Sequence, residues 1–148
     1  MATILKKRLD KLSEKIIGDY QCGFRKGRST TDQIFMLKQS LIQRYEYNKP
    51  THLLFIDFKS AYDSVHRRKM LKVLEKFDIP GKLIRLVKMT LEQTSSVVRV
   101  ENQETEEFIV RKGLRQGDPV SALLFNLALE GVIRSSGINR QGTLNTKS

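Results

Sequence analysis

The chain has 148 residues and carries 27 lysine and arginine residues against 16 aspartate and glutamate residues, a formal net charge of +11. This length suits one domain at most and suffices to bury a hydrophobic core. The single cysteine excludes an intrachain disulfide, and two histidines argue against a zinc site of Cys and His ligands. No apolar stretch approaches the roughly 20 residues of a membrane span, and the charged N-terminal segment is not a signal peptide.

We therefore expect an intracellular protein, nuclear or cytoplasmic, that makes no membrane contact. Its excess positive charge favours a polyanionic partner such as nucleic acid, the alternative being a solubilising basic surface. The oligomeric state is left open.

Apolar residues at helical spacing predict five amphipathic helices along the chain. Ser29 or Thr30 can cap the second of them. Its predicted buried face consists of Ile34, Leu37, Leu41, Ile42 and Tyr45. The five predicted helices span residues 4–17, 30–47, 64–77, 80–91 and 121–134.

Two regions have the pattern of β-strands. Residues 53–58 form a short apolar run bounded by loop signals, which predicts a buried strand. The segments Ser95–Val100 and Glu107–Arg111 flank a polar linker and predict a β-hairpin. We expect the 53–58 strand to lie beside this hairpin with helices over one face. The fold class is therefore α+β, with a small antiparallel sheet packed against helices.

Asp57 interrupts the apolar run near the end of the predicted strand. A buried carboxylate is costly unless it is paired or binds a metal, so Asp57 is either a ligand for a hard cation such as Mg²⁺ or the cap of the following turn. Asp63 lies where the chain turns into a helix, and we expect it to cap that helix. Two-metal phosphoryl transfer requires at least two convergent carboxylates, so Asp57 alone supplies half a site.

Two loops carry groups that suit a nucleotide or a nucleic acid. The segment GFRKGR places Arg25, Lys26 and Arg28 around two glycines, which allow the backbone to approach a phosphate. Phe24 in this loop can stack on a base, but packing under the loop is the favoured expectation. Residues 115–118, RQGD, join an arginine and a glutamine to a glycine just before a helix. Each loop by itself is equally compatible with an ordinary turn.

Taken in order, three segments resemble motifs of reverse transcriptases. FIDFKSAYDSV resembles motif A, and GLRQGDPVSALLFNLALE resembles motif B. Ahead of them, YQCGFRKGRSTTDQI is similar to the fingers motif of the non-LTR retrotransposon branch. The resemblance covers nearly the whole chain. It implies a partial fingers and palm of a right-hand polymerase in a single partial domain, with residues 1–50 fingers-like and residues 51–148 palm-like.

The resemblance also implies roles for individual residues. Asp57 would ligate two catalytic Mg²⁺ ions, or Mn²⁺ in their place, with the backbone carbonyl of Phe58 beside it. Tyr62 corresponds to the aromatic residue that screens the sugar 2′ position of the incoming dNTP. Gln116 and Gly117 correspond to residues that line the nucleotide and template pocket. The residues implied to contact the RNA template, the DNA primer or their phosphates are Arg25, Lys26, Arg28 and Arg115.

The sequence departs from the family pattern in two respects. Ala122 stands where motif B commonly ends in proline, and the Asp-Asp pair of motif C is missing. After Arg115 the only acidic residues are Asp118 and Glu130. We therefore expect a polymerase fragment, without motif C and the thumb, that does not polymerise by itself and exposes apolar surface. The alternatives are a non-catalytic nucleic-acid-binding remnant of a retroelement and a basic scaffold domain with an accidental likeness.

Overall fold

The computed structural model of the protein describes residues 2–92 and 94–138. Within these ranges it contains five helices and four short strands, and each of the predicted helices is confirmed to within a few residues. None of these helices is both long enough and apolar enough to cross a bilayer. In chain order the elements are α1 (Ala2–Ile16), α2 (Thr30–Glu46), α3 (Arg67–Lys76), α4 (Gly81–Leu91), β1 (Ser95–Ser96), β2 (Arg99–Val100), β3 (Gln103–Glu104), β4 (Phe108–Ile109) and α5 (Ser121–Ser135).

Four of the helices enclose the hydrophobic core. α5 packs against α1 and α3, and α4 packs against the same two helices. Their apolar residues recur every three or four positions, so that one face of each helix turns inward. Burying a leucine or methionine side chain contributes about 1.5–3 kcal/mol, which makes this cluster the main source of stability. The innermost side chains are Leu9, Met70, Leu74, Val87, Leu124 and Leu127.

α2 forms where predicted, but its predicted buried face is wrong. Ser29 is its N-cap, and the Ser29 hydroxyl accepts a hydrogen bond of 3.1 Å from the amide of Thr31. None of its residues is buried, and Ile34 and Tyr45 are 67% and 88% exposed. Among the described residues α2 packs against no other helix or strand. Apolar spacing therefore predicted the helix, whereas burial required a partner surface that the described fold does not provide.

The predicted buried strand at residues 53–58 is also wrong. The segment has no strand pairing, and every one of its residues is exposed. Nor does it lie in a sheet with the hairpin, whose strands pair only with one another. A strand exists only when its backbone groups are paired with a neighbour, so an apolar run by itself does not determine one.

The predicted β-hairpin is confirmed, but its inner strand pair lies partly in the predicted linker. β1 pairs with β4, aligning Ser95 with Ile109, and β2 pairs with β3, aligning Val100 with Gln103. Two residues separate β1 from β2, whereas three separate β3 from β4. This mismatch between the two arms of the hairpin interrupts the ladder of hydrogen bonds. Part of the predicted linker therefore belongs to the hairpin. Together with the helices, the hairpin confirms the α+β class.

Candidate nucleotide-binding site

The turn that follows residue 58 is held against the loop at residues 113–118 by two backbone hydrogen bonds. The amide of Gly113 donates to the carbonyl of Val65 at 2.9 Å, and the amide of Leu114 donates to the carbonyl of Tyr62 at 3.0 Å. Gly113 has φ = +84°, and a Cβ there would lie 3.0 Å from the Cα of Asp63. Only glycine permits both the conformation and the close approach. The segments that resemble motifs A and B are therefore adjacent.

Arg67, at the start of α3, secures this junction from behind. Its Nε donates to the carbonyl of Gly113 at 2.8 Å. Its Nη1 donates to the carbonyl of Val110 at 2.8 Å, to Oγ1 of Thr94 at 2.6 Å and to the carbonyl of Leu91. One guanidinium thus joins α3, the end of α4, the hairpin base and the 113–118 loop. This role was not predicted, because Arg67 stands among other basic residues of an amphipathic helix.

One pocket brings together residues from all three motif-like segments. It has a volume of about 470 Å³ and opens beside the N-terminus of α5. Phe24 comes from the loop between α1 and α2 (residues 17–29), called the fingers-like loop below. Tyr62 comes from the turn in the segment that resembles motif A. Arg115, Gln116 and Gly117 come from the loop in the segment that resembles motif B. Residues more than 90 positions apart therefore line one cavity, as expected if they act on one ligand.

Stacked aromatic rings fix the position of Tyr62. Its ring stacks on Phe125 with a centroid separation of 5.2 Å, and the Phe24 ring meets it edge-on at 6.5 Å. Burial raises the pKa of the Tyr62 phenol, so the hydroxyl stays protonated at neutral pH. Phe24 is 72% exposed, and the favoured expectation that it packs under its loop is wrong. Its ring is available at the pocket rim.

Asp118 organises the start of α5 below the pocket. Its Oδ1 accepts a hydrogen bond of 2.9 Å from the amide of Val120, and its carbonyl accepts one of 3.1 Å from the amide of Ser121. These bonds satisfy amides at the helix start that have no partner within the helix. The helix begins at Ser121 with Ala122 in its first turn, so the departure from proline at Ala122 does not prevent helix formation here.

Two buried polar residues of α5 hold the fingers-like loop against the helix. The Asn126 side chain accepts a bond of 3.0 Å from Nε2 of Gln21 and donates one of 2.8 Å to the carbonyl of Gly23. The Glu130 carboxylate accepts bonds from the Tyr20 hydroxyl at 2.7 Å, the Gly18 amide at 3.2 Å and Nε of Arg134 at 2.7 Å. Neither residue was predicted to have this role. The available signal was two polar residues four positions apart within an apolar helix.

The ionisation of Glu130 reflects a balance between burial and hydrogen bonding. Burial raises the pKa of the carboxyl, whereas the hydrogen bonds from Tyr20, Arg134 and the Gly18 amide lower it. Together the lowering effects outweigh the effect of burial, so the net shift of the pKa is downward. The carboxylate is therefore charged at neutral pH and stabilises the loop that carries Phe24.

The three cations of the fingers-like loop have different environments. Arg25 is only 8% exposed, and its guanidinium binds Glu14 at 2.7 Å and the carbonyls of Gly18 and Gln21 at 2.7 and 3.0 Å. This hydrogen bond to Glu14 raises the pKa of Arg25, despite an opposing effect of burial, and lowers the pKa of Glu14.

Arg28 lies at the surface in an ion pair with Asp19. Lys26 is exposed and pairs with no carboxylate among the described residues. A phosphate could therefore bind Lys26 directly, compete with an exposed ion pair at Arg28, and reach Arg25 only by breaking internal bonds.

The acidic residues do not form a metal cluster. Asp57 is exposed in the unpaired 53–58 segment, and the described residues contain no group of three His, Cys, Asp or Glu side chains that could hold a metal ion. The prediction that Asp63 caps α3 is wrong, because His66 is the N-cap and makes no side-chain capping bond. The chain makes turns over residues 59–64, so the helix starts too far along for Asp63 to reach its first amides.

The family model described as reverse transcriptase (RNA-dependent DNA polymerase) matches residues 1–138. The chain belongs to the reverse transcriptase family. The predicted resemblance to reverse transcriptases is therefore confirmed. The relatives described next support assignment of the chain to the reverse transcriptases of non-LTR retroelements.

This reverse transcriptase domain is similar to three curated proteins among others. It is 29% identical over 113 residues to a probable RNA-directed DNA polymerase from transposon BS of Drosophila melanogaster, a match over 76% of the chain and 12% of that protein. It is 26% identical over 133 residues to a retrovirus-related Pol polyprotein from type-1 retrotransposable element R2 of Popillia japonica, a match over 89% of the chain and 18% of that protein.

The third relative is the transposon TX1 uncharacterized 149 kDa protein of Xenopus laevis, 22% identical over 130 residues, which are 88% of the chain and 10% of that protein. The reverse transcriptase domain thus spans between about a tenth and a fifth of the length of these relatives.

Proposed function

We propose that this domain is the part of an RNA-directed DNA polymerase that holds an incoming dNTP between an RNA template and the end of a DNA primer. The observation that carries the proposal is the pocket lined by Phe24, Tyr62, Gln116 and Gly117, because it joins the three motif-like segments in one cavity. Membership of the reverse transcriptase family supports the same activity.

The chemistry of the pocket suits a nucleotide. Gly117 has φ = +84°, and apart from its own atoms and those of its two chain neighbours, no heavy atom lies within 4 Å of the position a Cβ would take. A base or sugar can therefore lie directly against its backbone. The exposed Gln116 amide can hydrogen-bond a base or sugar edge, and Arg115 can neutralise phosphate charge. The Tyr62 ring, fixed against Phe125, forms a rigid wall where a ribose 2′-hydroxyl would otherwise fit.

Reverse transcriptases generally use divalent metal ions, and the domain supplies part of the ligand set. The exposed Asp57 carboxylate and the neighbouring Phe58 carbonyl are oxygen donors that suit one Mg²⁺ position. Asp118 and Glu130 already accept hydrogen bonds within the protein, from the Val120 amide and the Tyr20 hydroxyl respectively. Bound Mg²⁺ ions would stabilise the attacking and leaving oxygens of nucleotidyl transfer. We infer that the 148-residue chain by itself does not extend a primer.

Primer extension tests the catalytic role of Asp57. In a polypeptide that supplies motif C and the thumb to this domain, Asp57→Asn should abolish extension and leave primer–template binding nearly unchanged, because lysine and arginine contacts to phosphate dominate affinity. Asp63→Asn is the matched control and should keep substantial activity. Incorporation of dNTP by the isolated 148-residue chain, abolished by Asp57→Asn, would contradict the proposal that the metal site is incomplete.

The same polypeptide tests the role of Tyr62. Tyr62→Ala should admit ribonucleotides, because loss of the ring opens the space at the 2′ position. Tyr62→Phe keeps the ring and should retain discrimination against ribonucleotides. Incorporation of dNTP and rNTP is measured for both variants, and equal discrimination by wild type and Tyr62→Ala would show that another group screens the 2′ position.

The second candidate function is nucleic-acid binding without catalysis, which the exposed cations and the incomplete ligand set favour. In either case, binding should be salt-dependent and independent of sequence, and each lost phosphate contact should reduce the log–log salt slope by about 0.7–0.9. Lys26→Ala with Arg28→Ala should reduce the slope. Arg25→Ala should instead destabilise the fold, because it removes the guanidinium that bonds Glu14 and the carbonyls of Gly18 and Gln21. A gel-shift or anisotropy titration with a primer–template, with and without Mg²⁺, measures binding.

A further inference from the structure

The geometry points to a second phosphate-binding site on the face where α3, the end of α4 and the hairpin base meet. A pocket of about 440 Å³ opens there, and it shares no lining residue with the pocket around Tyr62. We propose that it binds the sugar–phosphate backbone of a nucleic-acid strand. A single carboxylate, Glu92, lines it. Its cationic lining residues are Arg67, Arg68, Lys88, Arg111 and Lys112.

Arg67 places a rigid positive charge in the wall of this pocket. Hydrogen bonds from its Nε and Nη1 to the backbone and to Thr94 fix the guanidinium, whereas its Nη2 makes none. Every buried side-chain nitrogen or oxygen of the described residues has a partner, so this Nη2 must reach solvent. Nη2 is therefore at least partly accessible to an anion.

The charge of Arg67 has no counter-ion within the described part of the chain, where no carboxylate pairs with it. Burial lowers the pKa of Arg67, and the positive charge of Arg115 nearby lowers it further. The guanidinium nevertheless stays protonated at neutral pH. A partly buried cation without a counter-ion attracts an anion more strongly than a fully solvated one, because less water screens it.

Flexible cations surround this fixed charge. Arg68, Arg111 and Lys112 are exposed and form no ion pair within residues 2–92 and 94–138. Lys88 lies 3.6 Å from Glu92, but both side chains are more than half exposed, so the pair is weak and can be displaced by a phosphate. Several phosphates of one strand could therefore be contacted in succession.

The apolar part of the lining favours a strand over a free phosphate ion. Leu71, Leu91 and Ile109 line the same pocket, and Ile109 is largely exposed. Apolar side chains beside cations suit the sugars and bases that adjoin each phosphate, whereas an inorganic ion would use only the cations. This site goes beyond the proposed polymerase function, since it does not require a complete metal site.

Binding of a fluorescein-labelled 20-nucleotide RNA to the full 148-residue chain tests the inference, with anisotropy measured over a series of KCl concentrations. Arg111→Ala with Lys112→Ala should reduce the log–log salt slope by about 1.4, since each contact to a single strand contributes about 0.7. Lys7→Ala with Lys11→Ala removes two exposed charges from α1 and is the matched control. Its slope should change much less. Circular dichroism checks that both variants are folded.

Equal reductions in the two double variants would overturn the inference, because they would reflect net charge alone. Inorganic phosphate that displaced the RNA at equal phosphate concentration would show a free-phosphate site and overturn the assignment to a strand. The Lys26→Ala with Arg28→Ala variant separates this site from the proposed polymerase site. A reduced slope in that variant, with no change in the Arg111 and Lys112 variant, would support the polymerase site and exclude the second one.

Discussion

The packed helices α1, α3, α4 and α5 and the segment at residues 30–58 have similar apolar patterns but opposite environments. Leu127 of α5 is 0% exposed, whereas Leu54 is 84% exposed, although each lies in an apolar run. The difference shows that apolar spacing determines which side chains can be buried together. Whether they are buried depends on a complementary surface, which the described fold provides for α5 and not for the 30–58 segment.

Polar contacts differ between the two regions in the same way. In the packed helices, Glu130 bonds Tyr20 and Asn126 bonds Gln21, each more than 100 residues away in sequence. In the 30–58 segment the side-chain bonds span much shorter separations, seven residues between Arg44 and Thr51 and eleven between Gln33 and Cys22. Long-range bonds make the packed region cooperative, whereas local bonds leave the segment dependent on its own helix propensity.

The largest expected effect is on the free energy of unfolding, and it appears when the same leucine-to-alanine substitution is made in each region. Leu127→Ala should lower the free energy of unfolding by about 2–5 kcal/mol, because it removes buried methyl groups and leaves a cavity. Leu54→Ala should change it by less than about 0.5 kcal/mol, since that side chain is exposed. Urea denaturation measures both. Similar losses in the two variants would show that residues 53–58 are buried in solution and would contradict the comparison.

A second pair of substitutions tests the junction between the motif-like segments. Gly113→Ala should cost about 3 kcal/mol, because the left-handed conformation is strained and the new Cβ meets the Asp63 backbone. Gly117 has the same φ, but the space around its Cβ position is open. Gly117→Ala should therefore cost only the backbone strain, about 1 kcal/mol. Thermal melting of both variants gives the difference. Equal losses would mean that the contact between the two segments contributes nothing.

The smallest of these effects concerns Glu130 and depends on pH. Because its pKa is lowered in the folded state, its contribution is complete above the ordinary glutamate value of about 4.3 and is lost as the pH falls through the folded value. Glu130→Gln should cost about 2 kcal/mol at pH 7. The gap from wild type should narrow steadily as the pH falls below the ordinary glutamate value. Glu46→Gln on exposed α2 is the control, with less than about 0.5 kcal/mol expected. A gap that stays the same size from pH 7 into the acid range would exclude charge as its origin.

Much of the local structure was predictable from the sequence. The helices, the hairpin and the cap at Ser29 depend on residues close together in the chain, and short-range spacing predicted them. The candidate site was predictable in part, because the motif resemblance named Tyr62, Gln116 and Gly117, which line one pocket. The roles of Arg67 and Asn126 were not predictable, since their partners lie far away in sequence and have no pattern of their own.

The sequence by itself determined where helices and turns form and to which family the chain belongs, since helix hydrogen bonds link residues four apart and the motif-like segments are continuous. Only the tertiary structure decided which apolar faces are buried, that Arg25 turns inward to Glu14, and that residues 53–58 stay unpaired. Each of these outcomes requires a partner from elsewhere in the molecule. A strand or buried face without such a partner has unpaired backbone groups or exposed apolar area, whatever its own sequence favours.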